Sequence, residues 1–140
     1  NVALKARLVS EDEREMSGLR TLLNYGHTVG HAIETAAGYG VYLHGEAVSI
    51  GMVAAGNLGM AVGKTDPAIL ERQNSLLAEF NLPIAFSNVS VEQILEAIKL
   101  DKKSEAGEIS WVILDGVGSS SLYRGIDQSL VREILVKMTK

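Results

Sequence analysis

The sequence predicts a mainly α-helical domain with one small β-hairpin, and three observations point there. Apolar residues recur at helical spacing, as at Val29, Ala32, Ile33 and Ala36. Residues that start and stop helices bracket such stretches, Asp66-Pro67 and Gly38 among them. Only "EISWVILDGVGSSSLYRG" changes period. There Ile109, Trp111, Val112, Ile113 and Leu114 read as a strand, and a Gly/Ser turn leads to a second short strand near Leu122-Tyr123.

Each element has its own justification. "NVALKARLVSEDE" reads as the middle of a helix, with Val2, Leu4, Leu8 and Val9 apolar and Lys5 and Arg7 polar. The charged run from Glu11 to Glu15, followed by Ser17-Gly18, marks a helix end and a loop. A helix is predicted from Asn24 to Ala37, closed by Gly38, and "GYGVYLHGE" is the loop after it. Glu46 to Val62 is almost wholly apolar or small and should be a buried helix. Its Gly51, Gly56 and Gly59 weaken it but let another backbone come close. Asp66-Pro67 opens a helix running to about Phe80, ended before Leu82-Pro83. Ser90 opens the next, with Ile94, Leu95, Ile98 and Leu100 as its apolar face. Trp111 is assigned to the hairpin core, and Asp127 to Met138 forms the last helix. No repeat or linker divides the chain, so residues 1–140 read as one domain.

Composition narrows the function. The chain has 140 residues, enough for one hydrophobic core. Its 46% apolar and 21% charged content argues against disorder. A net charge of −4 gives no basic surplus for nucleic acid. No apolar run approaches the ~20 residues of a membrane span, so neither nucleic acid nor membrane is expected as a partner. Cysteine is absent, so any metal would need nitrogen and oxygen ligands. A cytoplasmic location fits this composition. Because Asn1 stands in the middle of a helical pattern, the chain is expected to be part of something longer.

All three histidines of the sequence fall within "LLNYGHTVGHAIETAAGYGVYLHGEAVSIGM". On a helix His27 and His31 are i and i+4 and rise from one face, the spacing by which a helix offers two imidazoles to a metal. Thr28 follows His27 where a zinc peptidase needs its general-base glutamate, so that chemistry is excluded. His44 lies across the loop, near enough to fold back. Spacing alone supports a metal or a proton-transfer site. Glu34 and Glu46 are the nearest carboxylates to complete it, with a glutamate from outside this chain as an equal alternative. Arg20 and Asn24, also i and i+4, read first as a surface arginine and a helix-capping asparagine; on one helix they would stand on or beside the histidine face, where they could bind an anionic, oxygen-rich ligand. Taken alone, Lys5, Lys102 and Lys103 read as solvated.

The string "GLRTLLNYGHTVGHAIETAAGYGVYLHGEAVSIGM" closely resembles the C-terminal domain of the 3-dehydroquinate synthase family. "KARLVSEDERE" and "LDKK...ISWVILDGVG" match the same family in the same order, and related sugar-phosphate cyclases share its G-H-T-x-G-H-A and H-G-E. The resemblance implies the C-terminal helical domain of a two-domain fold. An N-terminal α/β domain would bind NAD, with the active site in the cleft between the two. This sequence holds no Gly-rich dinucleotide fingerprint. The resemblance implies His27 and His44 as ligands of Zn2+ (or Co2+), the third being a glutamate that precedes this chain. It places His31 beside the substrate as a catalytic acid/base or hydrogen-bonding group. It makes Arg20, Asn24, Lys5 and Lys102 substrate-binding residues, with Lys103 as the alternative to Lys102.

The implied substrate is a small phosphorylated keto acid, 3-deoxy-arabino-heptulosonate 7-phosphate, converted to 3-dehydroquinate and phosphate in the shikimate pathway. The implied assembly is a homodimer. The chain alone is expected to be inactive and to hold zinc weakly. Glu46, beside His44, is expected to orient an imidazole. Val48 to Val53 is expected to expose an apolar surface toward the other domain.

Overall fold

Helices begin where the sequence supplies caps. Asp66 accepts a hydrogen bond from the Ala68 N–H at 2.8 Å, and Asp127 accepts one from the Ser129 N–H at 2.7 Å. Ser90 and Gln93 cap reciprocally: the Ser90 N–H donates to Gln93 Oε1 at 2.9 Å, and the Gln93 N–H donates to Ser90 Oγ at 3.2 Å. The architecture is a computed structural model describing residues 2, 3, 6, 19–38, 40–103 and 108–140, with the side chains of 19, 20, 21, 102 and 103 outside that description. Lys5 therefore lies outside the described residues, as do the side chains of Arg20, Lys102 and Lys103.

Val2, Ala3 and Ala6 are helical. A 3-10 helix, Leu19–Asn24, leads into α1 (His27–Ala37), α2 (His44–Ala61), α3 (Pro67–Glu79) and α4 (Val91–Lys103). The hairpin β1 (Trp111–Gly116) and β2 (Ser119–Tyr123) follows, and α5 (Gln128–Lys137) closes the order. The strands pair antiparallel, Trp111 opposite Tyr123 and Ile113 opposite Ser121, with an irregularity between Leu114 and Gly116. The mainly helical fold with a small hairpin is as the sequence predicts. Among the described residues no helix is long and apolar enough to cross a membrane.

Helix α2 is the axis of the fold, packing against α1, α3, α5 and β1, while α1 also packs against α4. Ile33, Ile50, Leu58, Phe86, Ile94, Trp111, Ile113 and Leu135 are fully buried in the main core. Each such side chain contributes roughly 1.5–3 kcal/mol by leaving water. The chain end is stitched to the loop after α3: the Phe86 N–H donates to the Met138 carbonyl at 3.1 Å, and the Lys140 N–H donates to the Phe86 carbonyl at 2.9 Å.

The α1–α2 contact is backbone on backbone. A Cβ on Gly51 would lie 1.9 Å from the Gly26 carbonyl oxygen, and one on Gly30 would lie 3.0 Å from Val48 Cα. Gly26 has φ 79°, the left-handed region that favours glycine, and that residue breaks the predicted Asn24–Ala37 helix in two. Asn24 thus ends the 3-10 helix, and α1 starts at His27.

Three further expectations are corrected. Helix α2 starts at His44 rather than Glu46, because Glu46 Oε2 accepts the Leu43 N–H at 2.8 Å and closes the first turn. Ser49, Ile50, Gly51 and Val53 are buried within this chain, so Val48 to Val53 is a seam against α1 and the core, not an exposed face. Leu100 is 58% exposed, because the last turn of α4 runs past the core.

The seam yields a stability prediction. Gly51→Ala should destabilise the protein by about 3 kcal/mol or more, since a backbone carbonyl cannot move aside as a side-chain end can. Gly45→Ala, with nothing within 4 Å of its added methyl, should leave stability unchanged or raise it by up to ~1 kcal/mol. Urea unfolding of the two variants beside the parent checks both.

Candidate metal centre

His27 and His44 are the first residues of α1 and α2. His31 and Glu34 follow His27 on the same face of α1, one and two turns on. The close α1–α2 contact brings the three imidazoles together. Ring centroids lie 5.3 Å apart for His27–His31, 5.6 Å for His27–His44 and 5.7 Å for His31–His44. One ligand nitrogen from each ring lies within 4.8 Å of the others. His27 is half-buried, whereas His31 and His44 are exposed, so the cluster opens to solvent on one side.

The hydrogen bonds separate the rings by role. His27 Nδ1 sits 3.3 Å from the Tyr25 carbonyl, and His44 Nδ1 sits 3.1 Å from Glu34 Oε2. Both partners are acceptors, so Nδ1 carries the proton and Nε2 keeps a lone pair, the form in which imidazole binds metal. Among the described residues no hydrogen bond engages the His31 ring. Burial holds the His27 imidazole below its ordinary pKa, the Tyr25 carbonyl opposes this, and the two neighbouring rings add to the lowering. The balance favours the neutral ring.

The Tyr25 carbonyl is itself anchored. The Tyr25 side chain is buried, its phenol donates to Gln73 Oε1 at 2.6 Å, and Gln73 Nε2 donates to the Met52 carbonyl at 3.2 Å. Burial pushes this phenol well above its ordinary pKa, against the Gln73 contact, so it remains a donor. Thus α2 and α3 together hold the turn that presents His27.

Beside His31 lies a cleft of about 390 Å³ bounded by Glu34, Thr35, Tyr42 and Asp101. Asp101 immediately precedes Lys102, so the end of α4 reaches this cleft. Asn24 is exposed on the 3-10 helix and makes no hydrogen bond to the imidazoles. Arg20 and Asn24 belong to that helix and not to α1. Glu46 is engaged in capping α2, and Glu34 takes the role expected of it beside His44. The signal for Glu34 was its place seven residues after His27 on one helix face; adjacency in "HGE" pointed elsewhere.

The donor set fits a divalent ion. It offers two imidazoles with Nε2 free and Nδ1 held, a third ring in reach and one open side, which is the pattern of nitrogen-ligated catalytic sites.

Comparison with known proteins agrees. Residues 1–104 match the family described as 3-dehydroquinate synthase C-terminal. The 3-dehydroquinate synthase of Prochlorococcus marinus (strain MIT 9303) is 43% identical over 135 residues, covering 96% of this chain and 36% of that protein. The chain therefore spans about a third of the length of the curated relatives it matches. The solved 2-epi-5-epi-valiolone synthase from Streptomyces hygroscopicus subsp. jinggangensis 5008, with NAD+ and Zn2+ bound, aligns with a TM-score of 0.79 at 23% identity, over 94% of this chain and 37% of that one. A 2-deoxy-scyllo-inosose synthase complexed with carbaglucose-6-phosphate, NAD+ and Co2+ aligns with a TM-score of 0.68 at 24% identity, over 82% of this chain and 34% of that one. At those identities the likeness shows a shared fold. The family match, spanning the whole histidine block, shows the kinship: the chain belongs to the 3-dehydroquinate synthase C-terminal family.

Proposed function

We propose that residues 1–140 form the metal- and substrate-binding unit of a 3-dehydroquinate synthase. In this reading it works with an NAD-binding domain, in a cytoplasmic homodimer, on 3-deoxy-arabino-heptulosonate 7-phosphate. The observation that carries the reading is the convergence of His27, His31 and His44 from two helices, two of them with Nδ1 already engaged.

His27 and His44 would hold the ion through Nε2, with a carboxylate from outside this chain as a further ligand. When bound, Zn2+ or Co2+ supplies Lewis acidity and NAD a hydride acceptor, which together make a secondary alcohol oxidisable.

The protein's own groups do the rest. His31 lies beside the ligand rings with no hydrogen bond among the described residues, so its nitrogen would be placed to take and return a substrate hydroxyl proton. Arg20, Asn24, Lys5 and Lys102 would hold the carboxylate and phosphate, which need charge-assisted donors at fixed positions. Asp101 in the cleft wall supports placing the neighbouring Lys102 at the substrate. The cleft wall carries the hydroxyl of Thr35, a group suited to a polyol chain, while the Tyr42 phenol is engaged with the Ser87 backbone.

A second reading is favoured by the solved neighbours, which are synthases of valiolone and inosose type. Supplying the full-length gene product with NAD, zinc and either the heptulosonate phosphate or glucose 6-phosphate decides between the two. Turnover is expected with the heptulosonate phosphate; turnover of glucose 6-phosphate alone would reverse the assignment.

Two variant predictions follow from the ring geometry. His27→Ala and His44→Ala should each weaken zinc binding by about 100-fold or more, since each removes a direct ligand. Dialysis against a chelator should abolish parent turnover, and added zinc should restore it. His31→Asn should leave zinc affinity near parental while lowering kcat by about 10²–10⁴-fold, the usual scale of acid–base catalysis. Chelator competition and steady-state kinetics on the same preparations read both effects. Equal loss of metal in all three variants would make His31 a ligand.

A further inference from the structure

His27 and His44 are held by different kinds of group. His27 is half-buried, and its Nδ1 is tied to a backbone carbonyl that comes with the fold. The His44 side chain is 59% exposed at the first position of α2, where packing does little to choose its orientation. Its one described polar contact is the 3.1 Å bond to Glu34 Oε2, made across the α1–α2 seam.

We propose that Glu34 is a positioning residue for the metal centre. It selects the Nδ1–H tautomer of His44, turns Nε2 toward the other imidazoles, and so sets the affinity for a divalent cation. This rests on the reading that His27 and His44 hold the ion.

The argument is tautomeric and geometric. A neutral imidazole in water exchanges between two tautomers, and only one puts the lone pair at Nε2. An ionised carboxylate accepts and cannot donate, so a carboxylate at Nδ1 stabilises the productive tautomer and raises the basicity of the opposite nitrogen. Glu34 can do this because α1 places it seven residues after His27 and three after His31, on the face that meets the start of α2. It is only 31% exposed, so its reach is directed. Glu34 also stands outside the trio whose ligand atoms lie within 4.8 Å of one another, which assigns it to a ligand rather than to the ion. Glu46 is not a substitute, because it is committed to the Leu43 N–H.

The test uses the full-length gene product and its Glu34→Ala, Glu34→Gln and His44→Ala variants. Zinc affinity is read by chelator competition, the visible spectrum with Co2+ reports the ligand set, and nitrogen-15 NMR of the metal-free protein reports the His44 tautomer. Glu34→Ala should weaken zinc binding about 10–100-fold, the range for losing a partner of a ligand. It should also convert His44 from Nδ1–H to a mixture while leaving the thermal midpoint of the metal-free protein little changed. Glu34→Gln, whose amide oxygen still accepts, should recover much of both effects. Parental affinity together with an unchanged tautomer in Glu34→Ala would overturn the proposal. Loss of metal as complete as in His44→Ala, with an altered Co2+ spectrum, would make Glu34 a ligand and overturn it too. Unchanged zinc binding in His44→Ala would sink the ligand reading, and this inference with it; zinc lost there but retained in Glu34→Ala would sink this inference alone.

Discussion

Helices that meet through ordinary side chains keep their axes 8–10 Å apart. In this protein the start of α1 meets α2 backbone to backbone, because Gly26, Gly30 and Gly51 leave no room there for a side chain. The site depends on this contact. His27 follows Gly26 directly, and His44 lies two turns before Gly51 on α2. Any side chain wedged at Gly51 would drive apart the two helix starts that carry the ligand rings. The Tyr25–Gln73 bond adds a second clamp from α3, so the turn bearing His27 is fixed from both sides. A ring–ring separation of 5.6 Å between His27 and His44 is thus a consequence of helix packing.

Much of this was readable in the residues. Asp66-Pro67, Ser90 and Asp127 announced their helices because a cap works through bonds to its own neighbours, and Trp111 announced the hairpin core by its change of period. The histidine block was legible as a site because its residues are rare and crowded. What escaped were features decided across the chain. A glycine inside a helical pattern reads as a tolerated weakness, and only the approach of Gly51 shows why Gly26 must turn left-handed and split that helix. Val48 to Val53 read as an apolar face awaiting a partner, and its partner proved to be α1. Glu46 seemed suited to His44 because it is adjacent in sequence. Adjacency is a poor guide on a helix, where residues two apart face different ways; the carboxylate that reaches His44 comes from another helix.

The electrostatic character of the centre suggests what it is built to meet. Its rings are imidazoles, and Glu34 is the one carboxylate described in contact with any of them. Two helix N-termini, each with partial positive charge, begin at His27 and His44. A divalent ion held there would keep most of its charge, on a side of the cluster that faces solvent. Such a centre has little use as a structural staple, which closes its coordination with thiolates or a fourth protein ligand. It favours an incoming anionic oxygen.

That charge argument also explains the arrangement around the cleft. If the ion supplies the positive charge for one oxygen of a polyhydroxylated substrate, the rest of the cleft need not be basic. The wall described here carries Thr35, Tyr42, Glu34 and Asp101, of which Tyr42 is bonded to the Ser87 backbone and Glu34 to His44. Three of these four groups are thus committed within the protein, Asp101 included, so the wall keeps its shape while the solvent-facing side of the histidine cluster stays open to an incoming oxygen ligand.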